Sequence, residues 1–382
     1  MISQVLLKEL DIPRRVLRKV TQFLLIARLA CKTTRFPSFT YFGVLLQNIR
    51  ICQQRRYTPI EAFRLGCFSP DFNAFLIDKF ISRKVLSKIQ EKLNPPSWAE
   101  LLKNKALFYN YCLEAKIRVP QWYVMSVPEK LFWCCYNNRL LSSLDDQADF
   151  IKQELPDSFV IKPIRGAYGD RVIIVSKMGE DFKNTNGDSY SALNLVRYIQ
   201  AYYPEGFVIQ QRIQNHPAIV DLTRSEALQT VRIISMMDND GNCHIIHAHF
   251  KPITKPGVFI DTYLEGLTGN VEVPIDVDKG TLGTGSQLTS TGQGIKTVSE
   301  HPLTGKSFRG FKLPGWYEAC DAVKQAAHKF LPIRTIGWDV ALSPAGPYII
   351  EANIWWDPPN QHIRMQEILK ALEGMSYSSD TG

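Results

Sequence analysis

The sequence predicts an α+β protein, in which helices stand apart from strands and the strands fold back on their neighbours. Three stretches carry that expectation. Two apolar runs, 336–342 and 347–353, flank Ser343-Pro344-Ala345-Gly346, whose composition is that of a tight turn. Residues 159–163 and 171–176 are short apolar strands on either side of a loop with two glycines. Asp238-Asn239-Asp240-Gly241-Asn242 is a hairpin turn between strands at 230–235 and 243–250. Strands joined by turns this short pair antiparallel.

Composition bounds the function. The 382 residues are 45% hydrophobic and 21% charged, which is ordinary for a soluble globular chain with room for two lobes. The eight cysteines (Cys31, Cys52, Cys67, Cys112, Cys134, Cys135, Cys243 and Cys320) include no CxxC pair. That argues for reduced thiols in a cytoplasmic protein and against a structural zinc or a secreted disulfide scaffold. The net charge of +8 is concentrated: residues 1–60 hold 11 Lys/Arg against 2 Asp/Glu, which leaves 34 against 35 elsewhere. No apolar run approaches the ~18 residues of a membrane span, and the apolar stretch at 21–31 begins too late for a signal peptide.

Residues 1–60 read as basic helices with Val16, Val20, Phe23, Leu24 and Ala27 at helical spacing. Such a helix either lies on an anionic membrane surface, here the inner face, or packs its apolar stripe on its own domain. No nucleic-acid-binding module surrounds the charge. Residues 61–100 continue mostly helical. Asn94-Pro95-Pro96-Ser97 is a break, and divides the chain into a helical, basic N-terminal region (1–96), a main domain (97–375) and a disordered polar tail (376–382).

Ser97, with Glu100 three residues on, is placed to cap a helix starting at Trp98. That helix carries Lys105 and leads to a strand at 122–126. Residues 127–158 are expected to form one or two helices. The strand at 159–163 contains Lys162, at the mouth of the loop holding Gly166 and Gly169. Glycines let backbone N–H groups approach an anion, and a lysine there meets a phosphate as a point charge. A helix over 191–204, a strand over 206–213 and helices near 316–331 and 361–373 complete the pattern. His216 and His301 each precede a proline and read as turn residues.

Two look-alikes fail. Gly305-Lys306-Ser307 resembles the end of a P-loop, but Glu300 occupies the position that needs glycine. Gly280-Thr281-Leu282-Gly283-Thr284-Gly285 lacks the spacing of a dinucleotide fingerprint.

The hairpin at 336–353 bears the most chemistry. With Ala345 at the centre of the turn, Asp339 faces Glu351, and Asn353 shares the face of Glu351 by strand alternation. Two carboxylates and a carboxamide oxygen then converge. Facing carboxylates repel unless a cation lies between them, and hard oxygen ligands suit Mg²⁺. The plain alternative is a surface hairpin with scattered polar residues.

Taken in order, the motifs resemble the ATP-grasp superfamily, and within it the sugar-transfer-associated, α-glutamate-ligase-like group, over about residues 95–360. The resemblance rests on seven elements in register. They are Asn104-Lys105 through Arg118-Val119-Pro120; Val160-Ile161-Lys162-Pro163 with its glycine loop; Val208 through Pro217; Leu228-Gln229-Thr230-Val231-Arg232; Asp261 with 266–274; His301-Pro302 with Gly305; and Gly337-Trp338-Asp339 with Glu351 and Asn353. It implies two α+β lobes clamping ATP. It also implies Lys105 and Lys162 on the phosphates, Gly166 and Gly169 in the closing loop, and Gln210, Gln211 and Ile213 on the adenine. Asp339, Glu351 and Asn353 become ligands of Mg²⁺ (or Mn²⁺). Arg232 either stabilises the transferring phosphoryl group or is a sheet arginine paired with a carboxylate.

The resemblance further implies an ATP-dependent carboxylate–amine ligase working through an acyl phosphate on small or sugar-linked substrates, in cell-surface polysaccharide or sugar-conjugate assembly. A kinase acting on a hydroxyl and a non-catalytic nucleotide-binding scaffold at the membrane are the alternatives. Gln229 and Gln210-Gln211 depart from the family's usual Asn and Glu, and Thr262 follows Asp261 where Asn is usual.

Overall fold

A computed structural model describes residues 56–67 and 81–358, apart from 167, 168, 170, 260 and 262–268, together with single helical positions at 43, 46, 49, 50, 53, 54, 368, 370 and 372. The expected basic helices of residues 1–42, most of the expected last helix and the C-terminal tail lie outside the described residues.

Residues 122–211 build one lobe, and the helices that precede them pack in large part on the other. After α1 (Pro59–Arg64) and α2 (Arg83–Leu93) come the short α3 (Ala99–Lys103) and α4 (Lys105–Glu114). Then follow β1 (Trp122–Val127), β2 (Leu131–Cys134), β3 (Arg139–Leu141), α5 (Leu144–Gln153), β4 (Ser158–Pro163), β5 (Ile173–Met178), β6 (Asp181–Asn184), β7 (Ser189–Tyr190), α6 (Ala192–Tyr202) and β8 (Phe207–Gln211). The strands form an eight-stranded sheet in the order β3-β2-β1-β8-β4-β5-β6-β7, and every described pairing in it is antiparallel. Alternation in β1 sends Val124 inward, where Phe132, Phe159, Ile161 and Val175 meet Phe150 and Ile151 of α5 and Leu195, Val196 and Ile199 of α6.

The second half builds the other lobe from α7 (Pro217–Thr223), β9 (Thr230–Met237), β10 (Cys243–Phe250), β11 (Val273–Asp276), β12 (Thr281–Leu282), β13 (Gly285–Leu288), β14 (Ile295–Val298), α8 (Trp316–Lys329), β15 (Thr335–Ser343) and β16 (Gly346–Asn353). Six strands lie in the order β12-β11-β10-β9-β15-β16, and β13 pairs with β14. The two faces of β9 have different covers. Val231 and Ile233 pack with Ala319, Val323, Ala326 and Ala327 of α8, while Ile234 and Met236 on the opposite face pack with Leu86, Ile89 and Leu93 of α2. Those three α2 residues recur on one helical stripe, and each fully buried side chain of this size contributes about 1.5–3 kcal/mol. Arg232 shares the face of Ile234, beyond the part that α2 covers. A cleft is left there.

Asn94, at the end of α2, is fully buried and spends both ends of its carboxamide on the sheet. It donates to the Thr335 and Ile354 carbonyls at 2.8 and 3.0 Å and accepts from the Arg334 and Thr335 amides at 3.0 Å. The expected division after residue 96 falls between α2 and α3.

Three local expectations need correction. Ser97 makes no cap: it lies inside a 3₁₀ turn, Pro96–Trp98. The cap is Asn104, whose extended backbone splits the expected helix and whose Oδ1 accepts from the Ala106 and Leu107 amides at 3.0 and 3.3 Å. Residues 127–158 hold one helix and the β2–β3 hairpin, with Cys134 opposite Arg139. Aromatic and apolar residues at 131–134 satisfy a strand's packing as well as a helix's, and Asn138 at φ +54° makes the turn. The hairpin β15–β16 turns one residue tighter than expected, with Ser343 paired to Gly346, and then bulges at Ile350. The two shifts cancel, so Asp339 still faces Glu351.

Candidate active site

Between the sheets lies a cavity of about 700 Å³. Every site residue that the resemblance implies lines it: Lys105, Lys162, Gly166, Gly169, Gln210, Gln211 and Ile213 from the first lobe and its edge, and Arg232, Asp339, Glu351 and Asn353 from the second.

On the first lobe, Lys162 is fixed by β4, opposite Val208 of β8, and is 9% exposed. Its ammonium lies 5.9 Å from the centre of the Trp122 ring. Burial drives its pKa down to about 7; Lys105 pushes the same way, and Glu351 opposes both. Lys105 opens α4 and donates from Nζ to the Gly166 carbonyl at 2.6 Å, so one lysine ties the helix to the glycine loop. Burial lowers its pKa as well, again against the pull of Glu351. Gly166 has φ +148° and Gly169 φ +71°, backbone conformations that favour glycine. Arg165 pairs with Glu100 at 2.5 Å and anchors the same loop to α3.

The strand β8 presents Gln210 and Gln211 differently. The Gln211 side chain accepts from the Gln121 amide at 3.2 Å. Gln210 is buried beside the cavity, and its Oε1 accepts no hydrogen bond among the described residues. A buried acceptor without a donor is costly. The exocyclic amino group of an adenine, against Val160, Ile174 and Ile213 of the same cavity wall, would satisfy it.

The second lobe carries a polar row across four strands. Glu351 of β16 faces Asp339 of β15, Asp339 faces Arg232 of β9, and Arg232 faces His249 of β10. Arg232 grips Asp339 with two bonds, Nε to Oδ1 at 2.7 Å and Nη2 to Oδ2 at 3.1 Å. Lys251 adds a third, Nζ to Oδ1 at 3.0 Å. Burial raises the Asp339 carboxyl, but Arg232 and Lys251 outweigh it and hold the pKa below the usual value. A carboxylate offers about four acceptor positions, so about one remains on Asp339. Glu351 faces Asp339 and Asn353 lies two residues further along the same strand; oxygens of these three side chains are of the hard type that would suit Mg²⁺ or Mn²⁺.

Gly337 makes this arrangement possible: a Cβ there would come within 2.7 Å of Trp356 and 3.2 Å of the Arg232 guanidinium. Thr230 and Lys251 meet at Asp261, which accepts from the Thr230 amide and hydroxyl at 2.7 and 2.6 Å and lies 3.6 Å from Lys251. Gln229 is a structural tie, donating to Thr223 at 2.9 Å and accepting from the Ile253 amide at 2.9 Å.

His216 caps α7 through the Ala218 amide, and buried His301 contacts the Ile253 carbonyl at 3.0 Å, so both are turn residues. Sequence reasoning missed Lys251, His247, His249 and Glu272. The alternating His247-Ala248-His249 was the available signal, since it puts both imidazoles on one strand face. Lys251 had none, because its partner Asp339 is 88 residues away.

The family model for sugar-transfer-associated ATP-grasp proteins matches residues 85–371, and the chain belongs to that family. Its two large sheets belong to the two lobes of an ATP-grasp fold. No curated protein matches the sequence. Similar solved structures include an L-amino acid ligase from Bacillus licheniformis (15% identity, 67% of this chain and 43% of that one, TM-score 0.36). They also include the D-alanine–D-alanine ligase of Bacillus anthracis (11%, 74% and 70%, 0.36) and a biotin carboxylase–ATP complex from Campylobacter jejuni (11%, 76% and 51%, 0.42). The chain spans about half the length of the amino acid ligase and the carboxylase.

Proposed function

We propose that the chain is an ATP- and Mg²⁺-dependent ligase that joins a carboxylate to an amine through an acyl phosphate, on small or sugar-linked substrates. One observation carries the reading. The lysine pair and glycine loop of one sheet share a single cavity with the paired carboxylates of the other, close enough that Glu351 acts on both lysines.

In this reading Gln210 accepts from the adenine, and Lys105, Lys162 and the amides of the glycine loop hold the phosphates. Asp339, Glu351 and Asn353 hold Mg²⁺, which supplies charge neutralisation on the triphosphate when bound. The substrate carboxylate attacks the γ-phosphorus. A P–O bond forms as the bond to the bridging oxygen breaks and ADP leaves. The amine nitrogen then attacks the acyl carbon, the acyl C–O bond breaks, and phosphate departs as the nitrogen gives up a proton. Arg232 and Lys251 sit beside the metal face, where negative charge builds on the phosphoryl group. The work of the protein is positioning and fixed charge.

ADP release, measured across panels of carboxylates and amines, tests this. Release that requires both a carboxylate and an amine supports the ligase. Release with a hydroxylated sugar alone would make the chain a kinase. The family's sugar-transfer description supports sugar-linked substrates, and the basic residues 1–60 support a peripheral contact with an anionic membrane face. Among the described residues no helix is long and apolar enough to cross a membrane.

A further inference from the structure

Beyond the hairpin carboxylates, the second lobe holds another set of converging donors. His247 and His249 alternate along β10 and present their rings to one face, and Glu272 approaches from the segment that leads into β11. His247 Nε2 and His249 Nδ1 are 3.3 Å apart, and Glu272 Oε1 is 3.9 Å from His249 Nδ1. One donor atom from each of the three residues lies within 4.8 Å of the other two. Two nitrogens each about 2.1 Å from a tetrahedral zinc are about 3.4 Å apart. The two imidazole nitrogens already stand at that spacing, and the Glu272 oxygen has to move closer to complete the set around an ion.

All three side chains are buried, with 4% of His247, 9% of His249 and 4% of Glu272 exposed. His249 and Glu272, however, line the same cavity as Arg232 and Asp339. The set is closed on the protein side and open on the cavity side, as sites with three protein ligands and one exchangeable position are. Two neutral imidazoles and one carboxylate suit a borderline ion such as zinc, whereas Mg²⁺ prefers oxygen alone. The nearby positive charges are matched: Arg232 is paired with Asp339, and Lys251 with Asp339 and Asp261.

We propose that His247, His249 and Glu272 form a second metal site, selective for a zinc-like divalent ion, with its open position facing the cavity beside the polar row that begins at Glu351. Binding of the ion needs no nucleotide; on the proposed ligase reading, an ion at this end of the row, away from Glu351, would be placed to hold an oxygen of the acceptor substrate.

The test uses the full chain, stripped with a chelator and titrated with Zn²⁺ and Co²⁺ in excess Mg²⁺. The expected result is one ion per chain, a tetrahedral Co²⁺ absorption spectrum without a thiolate charge-transfer band, and at least a tenfold weaker affinity in His247→Gln and in Glu272→Gln. Glu351→Gln should retain Zn²⁺ binding, which separates this site from the hairpin metal face. Circular dichroism and melting of each variant identify loss of fold. Should His247→Gln not fold, Glu272→Gln and the cobalt spectrum of the wild type still decide. Binding that is absent, that shows thiolate charge transfer, or that survives both ligand substitutions would overturn the proposal. Because the readout is metal binding alone, a failed ligase assay leaves it standing, and its own failure leaves the ligase reading standing.

Discussion

Arg232 and Asp339 are bound to each other by two hydrogen bonds across adjacent strands, midway along the polar row that runs from Glu351 to His249. Their side chains are 18% and 11% exposed, so neither charge is well solvated. Arg232→Met should leave Asp339 with Lys251 as its one remaining cationic partner and cost about 3–5 kcal/mol. Arg232→Lys keeps the charge but loses the fork geometry and should cost less. Urea unfolding of both variants checks the order; equal losses would show that the bidentate geometry contributes nothing.

Lys162 gives a pH signature. With its pKa near 7 in the folded protein and near 10.4 unfolded, the folded chain binds fewer protons between those values. Stability should therefore rise with pH across that window, and Lys162→Met should flatten the rise; below about pH 7 the cost of the buried charge is present in full. Triphosphate beside the lysine favours the charged form, so ATP binding at pH 8 should take up a proton. Calorimetry in buffers of different ionisation enthalpy measures that uptake, and no difference between buffers would contradict it.

Gly166 supplies both a positive φ and the carbonyl that receives Lys105. Gly166→Val should strain the loop and displace that carbonyl, since even a Cβ lies 3.3 Å from Pro163. The expected outcome is a tenfold or greater loss of ATP affinity, with a change in unfolding free energy on the order of 1–2 kcal/mol. A loss of stability without a loss of affinity would place the loop away from the nucleotide.

Asn94→Ala removes four hydrogen bonds at once, three of them buried, and should destabilise the second lobe by on the order of 3 kcal/mol or more. Melting of the variant reads it. A shift as small as that of a surface substitution would mean that α2 is not integral to the lobe it packs against.

The hairpin β15–β16 was legible because its two strands are apolar enough for Asp339 and Glu351 to stand out, and because turn chemistry marks residues 343–346. Their pairing was predicted through a turn one residue too wide, which the bulge at Ile350 then compensated. Local patterns do not announce bulges. The β2–β3 hairpin was missed because Phe132, Trp133 and Cys134 fit either a strand or a helix, leaving the left-handed Asn138 as the deciding feature. Lys251 escaped for another reason. A lone lysine at a strand end resembles any surface lysine until the sheet brings Asp339 and Asp261 to it from distant segments.

On the proposed function, this cavity binds ATP together with a metal held by the β15–β16 hairpin. Thermal melting of the wild type and of Glu351→Gln, with and without millimolar MgATP, tests it most directly. Ligand at about 100 times its dissociation constant adds roughly 2.7 kcal/mol of stability. The melting temperature of the wild type should rise clearly, in a way that needs the metal and is lost or much reduced in Glu351→Gln. An unchanged wild-type melt at millimolar MgATP would contradict it.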